Sequence, residues 1–203
     1  MPDIIRDDIS TKLVHLTRDT NFQDAAKTLL KILETKKLLG GNTFIKGGHK
    51  CVCFSEAPIA KLSQILAIPS ETSGMRYKPF GIMVDKIWLY AKGGRPVIYQ
   101  PDRDYELLHC DLQYRHVRFE PHNHIDYTWE REWRIKTDEL ELGIEDVTVV
   151  LPNRAWADWM HRERDSDTHA RSVAFWGWGS VELSWHFIVL EDLGVSVPNV
   201  VSP

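Results

Sequence analysis

No apolar run in the 203-residue sequence approaches the ~20 residues that a membrane-spanning helix needs. The opening Met-Pro-Asp-Ile-Ile-Arg-Asp-Asp lacks a basic region followed by an apolar one, so no secretory signal is expected. Three cysteines, an odd number, do not make a disulfide framework; a reducing, cytoplasmic setting is expected. Positive charge is in deficit: 25 Lys and Arg stand against 29 Asp and Glu, for a net charge of −4. That excludes broad electrostatic wrapping of nucleic acid but leaves room for a local basic cleft. Several motifs are missing too. There is no Gly-x-Ser-x-Gly and no His-Glu-x-x-His, and Gly93-Gly94-Arg95-Pro96 is a turn with no Lys-Ser/Thr behind it. His122-Asn123-His124, with Glu120 and Asp126, matches no standard ligand set, so no metal is expected. Internal repeats and low-complexity segments are absent.

What is present suits one domain over residues 1–203, since 43% of the residues are hydrophobic and eight are tryptophan. Residues 12–17 read as a short strand. Thr20 and Gln23 form a capping box for a helix whose stripe is Phe22, Ala25, Ala26, Leu29, Leu30 and Leu33, and Gly40-Gly41 ends it. Cys51 to Phe54 is a strand and Pro58 to Ala67 a short helix. Residues 81–90 and 95–99 are strands, as are 132–136 and 146–151. A helix from about Asn153 to Arg164 sets Trp156, Trp159 and Met160 on one side, followed by a solvated charged run from Arg162 to Asp167. The acidic stretch Asp138 to Asp146 offers a partner surface or a completed core, and aromatic clustering favours the core for the tail from Phe175 to Trp185. Short strands mixed with a few helices give an α+β class.

Three patterns carry candidate chemistry. His15 and Thr17, two apart in a strand, project from one face, where an imidazole and a hydroxyl can grip a ribose or an amide edge. The alternative is a satisfied core histidine beside a turn-forming threonine. Phe54-Ser55-Glu56-Ala57-Pro58 ends a strand with a ring for stacking and an exposed hydroxyl; equally, Ser55 caps the next helix and Phe54 is core. Glu130 and Glu132, also two apart, lie on one strand face about 7 Å apart. Their repulsion calls for a compensating cation or substrate, unless Arg131 and Arg134 merely supply surface ion pairs.

In this chain order, His15-x-Thr17, a helix, Phe54-Ser55 and Glu130-x-Glu132 resemble the ADP-ribosyltransferase superfamily, over roughly residues 12–150. The opening His-Leu-Thr is similar to DarT-type DNA ADP-ribosyltransferase toxins. The stretches around Cys53-Phe54-Ser55-Glu56-Ala57-Pro58, Arg95-Pro96-Val97-Ile98-Tyr99 and Glu130-Arg131-Glu132-Trp133-Arg134 are similar to phage-defence and abortive-infection proteins. The resemblance implies a split β-sandwich of two small, near-perpendicular antiparallel sheets with flanking helices, and NAD+ as co-substrate. It implies Glu132 as catalytic carboxylate and Glu130 as the residue that selects or activates the acceptor. His15 and Thr17 would hold a ribose and Phe54 or Ser55 the nicotinamide side; Arg76 would supply a pyrophosphate contact and Tyr77 an aromatic wall, unless the two are a surface arginine beside a core tyrosine. The acceptor stays open, because Glu-x-Glu resembles arginine-modifying enzymes and His-x-Thr nucleic-acid-modifying ones. A toxin or defence effector implies a neutralising antitoxin partner and no membrane. Water as acceptor (an NAD+ glycohydrolase) and a non-catalytic binding member of the same fold are the other readings.

Overall fold

The computed structural model describes residues 8–68, 75–163, 185–197 and 199–203. They form a mixed α+β structure in two compact units. The first takes in the described residues up to His15, then Lys37–Lys61 and Met83–Leu142. The second takes in Leu16–Lys36 and the described residues of Leu62–Ile82 and Gly143–Pro203. Among the described residues no helix is long and apolar enough to cross a membrane.

In the first unit, strands β1 (Lys12–Leu16, its last residue aside), β3 (Cys51–Ser55), β8 (Glu132–Lys136) and β5 (Arg95–Pro96) lie side by side in that order. Pairing is antiparallel throughout: Val14 faces Ser55, Ser55 faces Glu132, Cys53 faces Arg134, and Arg95 faces Arg134. Val52, Phe54, Trp133 and Ile135 are buried, and so is Arg134, which makes three consecutive buried residues in β8. A strand covered on both faces reads as a continuous run, not an alternation. Two small ribbons complete the unit: β2 (Lys37–Leu39) antiparallel to β9 (Glu139–Glu141), and β6 (Ile98–Gln100) parallel to β7 (His116–Arg118). Leu140 and Leu142 are buried, while Asp138 and Glu139 pair with Lys50 and Lys37 at 3.0 and 2.7 Å. The acidic stretch is thus built into the ribbon.

The expected strand over 81–90 is two elements. Strand β4 (Gly81–Asp85) stops where the Asp85 carboxylate accepts from the Ile87 N–H at 2.8 Å, and helix α3 (Lys86–Ala91) begins. An N-cap aspartate offers the backbone a helical start that an apolar pattern alone does not reveal. The 95–99 strand is also divided. The Val97 N–H donates to the Glu132 carbonyl at 3.0 Å, after which β6 turns to β7.

In the second unit, α1 (Phe22–Thr35) buries Ala25, Ala26, Leu29 and Leu33, the centre of the expected stripe. Its cap is Asn21, not Thr20: Asn21 is extended, and its Oδ1 accepts from the Asp24 N–H at 2.8 Å. Nor do Gly40 and Gly41 end it. The helix closes on Lys36 in the left-handed conformation (φ 53°), its N–H donating to the Ile32 carbonyl. Gly40 answers instead to the first unit's ribbon, where a Cβ would lie 2.0 Å from the Thr137 carbonyl oxygen. Between Pro58 and Ala67 a 3-10 turn (Ile59–Lys61) leads into α2 (Leu62–Leu66), one element on each side of the division between units. Strand β10 (Val147–Leu151) pairs in parallel with β11 (His186–Val189). Residues 154–163 are helical, and Trp156, Trp159 and Met160 are buried. Trp156 meets Phe80 and Trp159 edge-on, with ring centroids 4.9 and 5.3 Å apart. The charged run beyond position 163 and the tail from 175 to 184 lie outside the described residues; Trp185 is buried.

Candidate functional site

Strand register decides which candidates meet. Directly opposed residues of an antiparallel pair share a face, and neighbours along a strand alternate. Ser55, Glu132, Cys53 and Arg134 therefore stand on one face of the sheet, and His15, Phe54 and Trp133 on the other. The His15 and Phe54 rings confirm the second group, edge-on with centroids 5.7 Å apart. His15 and Glu132 are not brought together on one face.

Glu132 opens β8 with its carboxylate gripped at both oxygens. Arg134 Nε donates to Oε1 at 2.9 Å and Nη2 to Oε2 at 3.0 Å. Arg134 Nη1 donates to the Tyr114 and His116 carbonyls at 2.8 and 3.0 Å. Arg134 is 5% exposed, so the alternative of a surface ion pair does not hold for it: this is a buried bidentate clamp. The Glu132 N–H donates to Tyr99 Oη at 3.2 Å, and that hydroxyl donates to the Tyr127 carbonyl at 3.3 Å; burial pushes the Tyr99 phenol up to about 12.

Glu130 does not share the strand. It ends a 3-10 turn (Thr128–Glu130), is 8% exposed, and is separated from Glu132 by Arg131 in the left-handed conformation at φ 46°. The single strand face expected for the two glutamates is broken by that residue. Backbone strain of this kind persists only where neighbours over-determine it. Here Ser55 Oγ donates to the Glu130 carbonyl at 2.6 Å and accepts from the Ala57 N–H at 3.2 Å. The Glu56 N–H donates to the Arg131 carbonyl at 3.1 Å, and the Arg131 guanidinium reaches Asp8 at 3.3 Å. Ser55 thus pins the turn before Glu132, as well as ending β3.

On the opposite face, His15 Nδ1 lies 2.8 Å from the Cys53 carbonyl oxygen. A carbonyl only accepts, so Nδ1 is the donor in this hydrogen bond. In sequence Glu56 reads only as the polar neighbour of Ser55. It accepts from Lys86 Nζ at 2.7 Å on Oε1 and from Trp133 Nε1 at 2.8 Å on Oε2. No spacing rule links positions 56, 86 and 133.

Thr17, Arg76 and Tyr77 belong to the second unit. The strand ends at Leu16, and Thr17 is buried, its N–H donating to the Phe80 carbonyl at 2.8 Å and its Oγ1 making no hydrogen bond. Arg18 hydrogen-bonds the Tyr77 hydroxyl and lies over its ring at 4.5 Å, and Arg76 stands 5.9 Å from the same ring. Lys78 is 5% exposed, burial holds its pKa below the ordinary lysine value, and its Nζ donates to the Met75 carbonyl at 3.0 Å. Arg18 and Lys78 are additions to the candidates; both flank residues that the sequence singles out.

Glu120 and Asp126, beside His122 and His124, are committed to turns: Glu120 to Arg118, Asn123 and the Asp102 N–H, Asp126 to Thr128. Among the described residues one trio, the consecutive and exposed His109, Cys110 and Asp111, brings metal-ligating atoms within 4.8 Å of one another. A shallow apolar depression lined by Leu33, Met160, His161, Trp185 and Phe187 in the second unit includes none of the candidate residues. Comparison with protein-family models, curated proteins and solved structures finds no match to this chain.

Proposed function

We propose that this chain is an NAD+-dependent ADP-ribosyltransferase, a toxin or phage-defence effector, acting on a nucleic-acid or protein acceptor. The observation that carries the reading is the carboxylate of Glu132, fixed at a strand head by the two-pronged grip of Arg134 and seated opposite Ser55. Breaking the bond between nicotinamide and ribose builds positive charge on the sugar. A carboxylate already oriented stabilises that charge more in the transition state than in the substrate. Each carboxylate oxygen has a second lone pair, so Glu132 can accept from a ribose hydroxyl while Arg134 stays in place. Glu130, held two residues earlier by Ser55, takes the part of base toward the acceptor. In the second unit, taken by itself, Arg18 and Arg76 stand against the Tyr77 ring, a grouping of the kind that receives phosphate oxygens. The split β-sandwich belongs to the proposal as well, supported by the α+β architecture and the antiparallel run β1–β3–β8.

Two observations favour a second reading, a non-catalytic binding or antitoxin member of the same fold. Arg134 occupies both oxygens of Glu132, and the register sets His15 on the other face. Incubation with NAD+ labelled on its adenylate half, with and without RNA, single-stranded DNA and lysate protein, separates the readings. Nicotinamide release with label fixed to one polymer supports transfer and names the acceptor. Release without fixed label means hydrolysis. No release and no NAD+ binding in any mixture overturns the enzyme and leaves the binding protein.

A further inference from the structure

The turn between the 3-10 helix Asp102–Leu107 and strand β7 carries three different metal-ligating side chains in succession, His109, Cys110 and Asp111. The Leu112 N–H closes it by donating to the His109 carbonyl at 2.8 Å. Its ends are tied as well, the Leu108 N–H to the Tyr105 carbonyl at 3.1 Å and the Arg115 N–H to the Leu112 carbonyl at 2.9 Å. In the closed turn His109 Nδ1 stands 3.5 Å from Asp111 Oδ2. Cys110 Sγ stands 3.8 Å from His109 Nδ1 and 4.0 Å from Asp111 Oδ1. All three residues are exposed, and of the three free thiols Cys110 is the exposed one. The whole turn lies within the first unit.

The imidazole and the carboxylate are too far apart for a good hydrogen bond to explain the grouping. Around one Zn2+, with bonds of about 2.3 Å to sulfur and about 2.0–2.2 Å to nitrogen and oxygen, neighbouring donors stand roughly 3.3–3.8 Å apart. The observed separations fall in that range or just above it, and rotation of exposed side chains closes the difference. The Asp111 N–H donates to His109 Nδ1 at 3.3 Å, so that nitrogen carries the lone pair a metal takes. We infer that His109, Cys110 and Asp111 bind a zinc-class divalent ion through one nitrogen, one sulfur and one oxygen, with water in the fourth position. Sulfur beside imidazole selects a borderline-soft ion, whereas Mg2+ and Ca2+ ask for oxygen ligands. On binding, the Cys110 S–H bond breaks, the sulfur meets the metal as thiolate, and the proton passes to solvent. The ligand set needs no NAD+, so the inference goes beyond the proposed function and stands or falls separately.

The test uses the full chain, first dialysed against a chelator. Titration with Co2+, a spectroscopic stand-in for zinc, should give a thiolate-to-cobalt charge-transfer band that saturates at about one equivalent per chain. Zn2+ should bleach that band and Mg2+ should not. Bound zinc should also slow the reaction of Cys110 with a disulfide reagent, and chelator should restore it. Cys110→Ser should abolish the band. His109→Ala and Asp111→Ala should each weaken zinc binding about ten-fold or more, since losing even the outer support of a ligand costs that much. His122→Ala, at another exposed histidine, should bind like the parent. All these side chains are exposed, and a circular-dichroism melt checks that the variants fold. The inference is overturned if neither cobalt nor zinc binds, if the band survives Cys110→Ser, or if Mg2+ displaces cobalt as well as zinc does. It is equally overturned if His109→Ala and Asp111→Ala bind like the parent, or if His122→Ala weakens binding as much as they do.

Discussion

Arg134 spans Glu132 with two parallel hydrogen bonds of 2.9 and 3.0 Å while its remaining nitrogen holds the Tyr114 and His116 carbonyls. One side chain thereby fixes the candidate carboxylate and ties β8 to the segment before β7. Replacing it with Met strands a carboxylate with little exposure and leaves two carbonyls without their donor. Arg134→Met should lower stability by about 3–5 kcal/mol, read by urea denaturation. Arg134→Lys keeps the charge and loses the fork, so it should recover only part. A loss below about 1 kcal/mol for Met would show the clamp to be energetically idle.

The same clamp bears on the test of Glu132. Glu132→Gln keeps one acceptor for Arg134 and removes the charge, so it is not neutral for stability, and the variant has to be assayed below its own melting transition. Under that condition nicotinamide release should fall by about two orders of magnitude or more. Glu130→Gln should reduce transfer to acceptor more than it reduces release. Full activity in Glu132→Gln would remove this residue from the chemistry.

Much of the fold is written in local pattern. The α1 stripe, β3, β8 and β10 follow from apolar spacing, and Ala25, Ala26, Leu29 and Leu33 are buried as that spacing requires. What the pattern misses turns on single residues or on pairing. Asp85 converts half of an apolar run into a helix, and Arg131, by going left-handed, takes Glu130 off the strand that Glu132 begins. The separation of His15 from Glu132 depends on Val14 facing Ser55 across β1 and β3, a register set by long-range pairing that no short motif contains. Arg134 reads as a surface cation in sequence because an alternating strand would expose it; both faces of β8 are in fact covered.

Helix α1 offers a direct contest between two adjacent residues. Asn21 Oδ1 accepts from the Asp24 N–H at 2.8 Å, whereas Thr20 Oγ1 reaches only the Asp24 side chain at 3.4 Å. Asn21→Ala should therefore lower stability by about 1 kcal/mol and Thr20→Ala by a few tenths or less. Thermal unfolding of the two variants decides it; the reverse order would restore Thr20 as the cap.

The three thiols should separate by reactivity. Cys110 is exposed, Cys51 is buried, and Cys53 is intermediate. Burial pushes the Cys51 thiol up to about 11 and the Cys53 thiol higher still, with the Glu132 carboxylate adding to the second shift. The thiolate is the reacting species, so a disulfide reagent near neutral pH should titrate one thiol per native chain rapidly and the other two only on unfolding. Cys110→Ser should abolish the rapid phase. A second rapid thiol in the native protein would mean that the β3 face beside Glu132 is open.

Glu120 carries a pH dependence whose sign is fixed by its partners. Arg118 at 2.6 Å, Asn123 at 3.0 Å and the Asp102 N–H at 3.1 Å all donate to its carboxylate, and the hydrogen bond from Arg118 does most to hold it at about 2, against an ordinary 4.5. Protonation is thus easier in the unfolded chain than in the folded one. The unfolded state takes up the proton first as pH falls, and the stabilisation is complete above about 4.5 and drains away between there and about 2. Glu120→Gln, which cannot ionise, should lie below the parent in denaturation midpoint at neutral pH. The gap should close across that acid window and nowhere else. A gap of constant size down to about pH 2 would show that the carboxylate contributes through shape and not through charge.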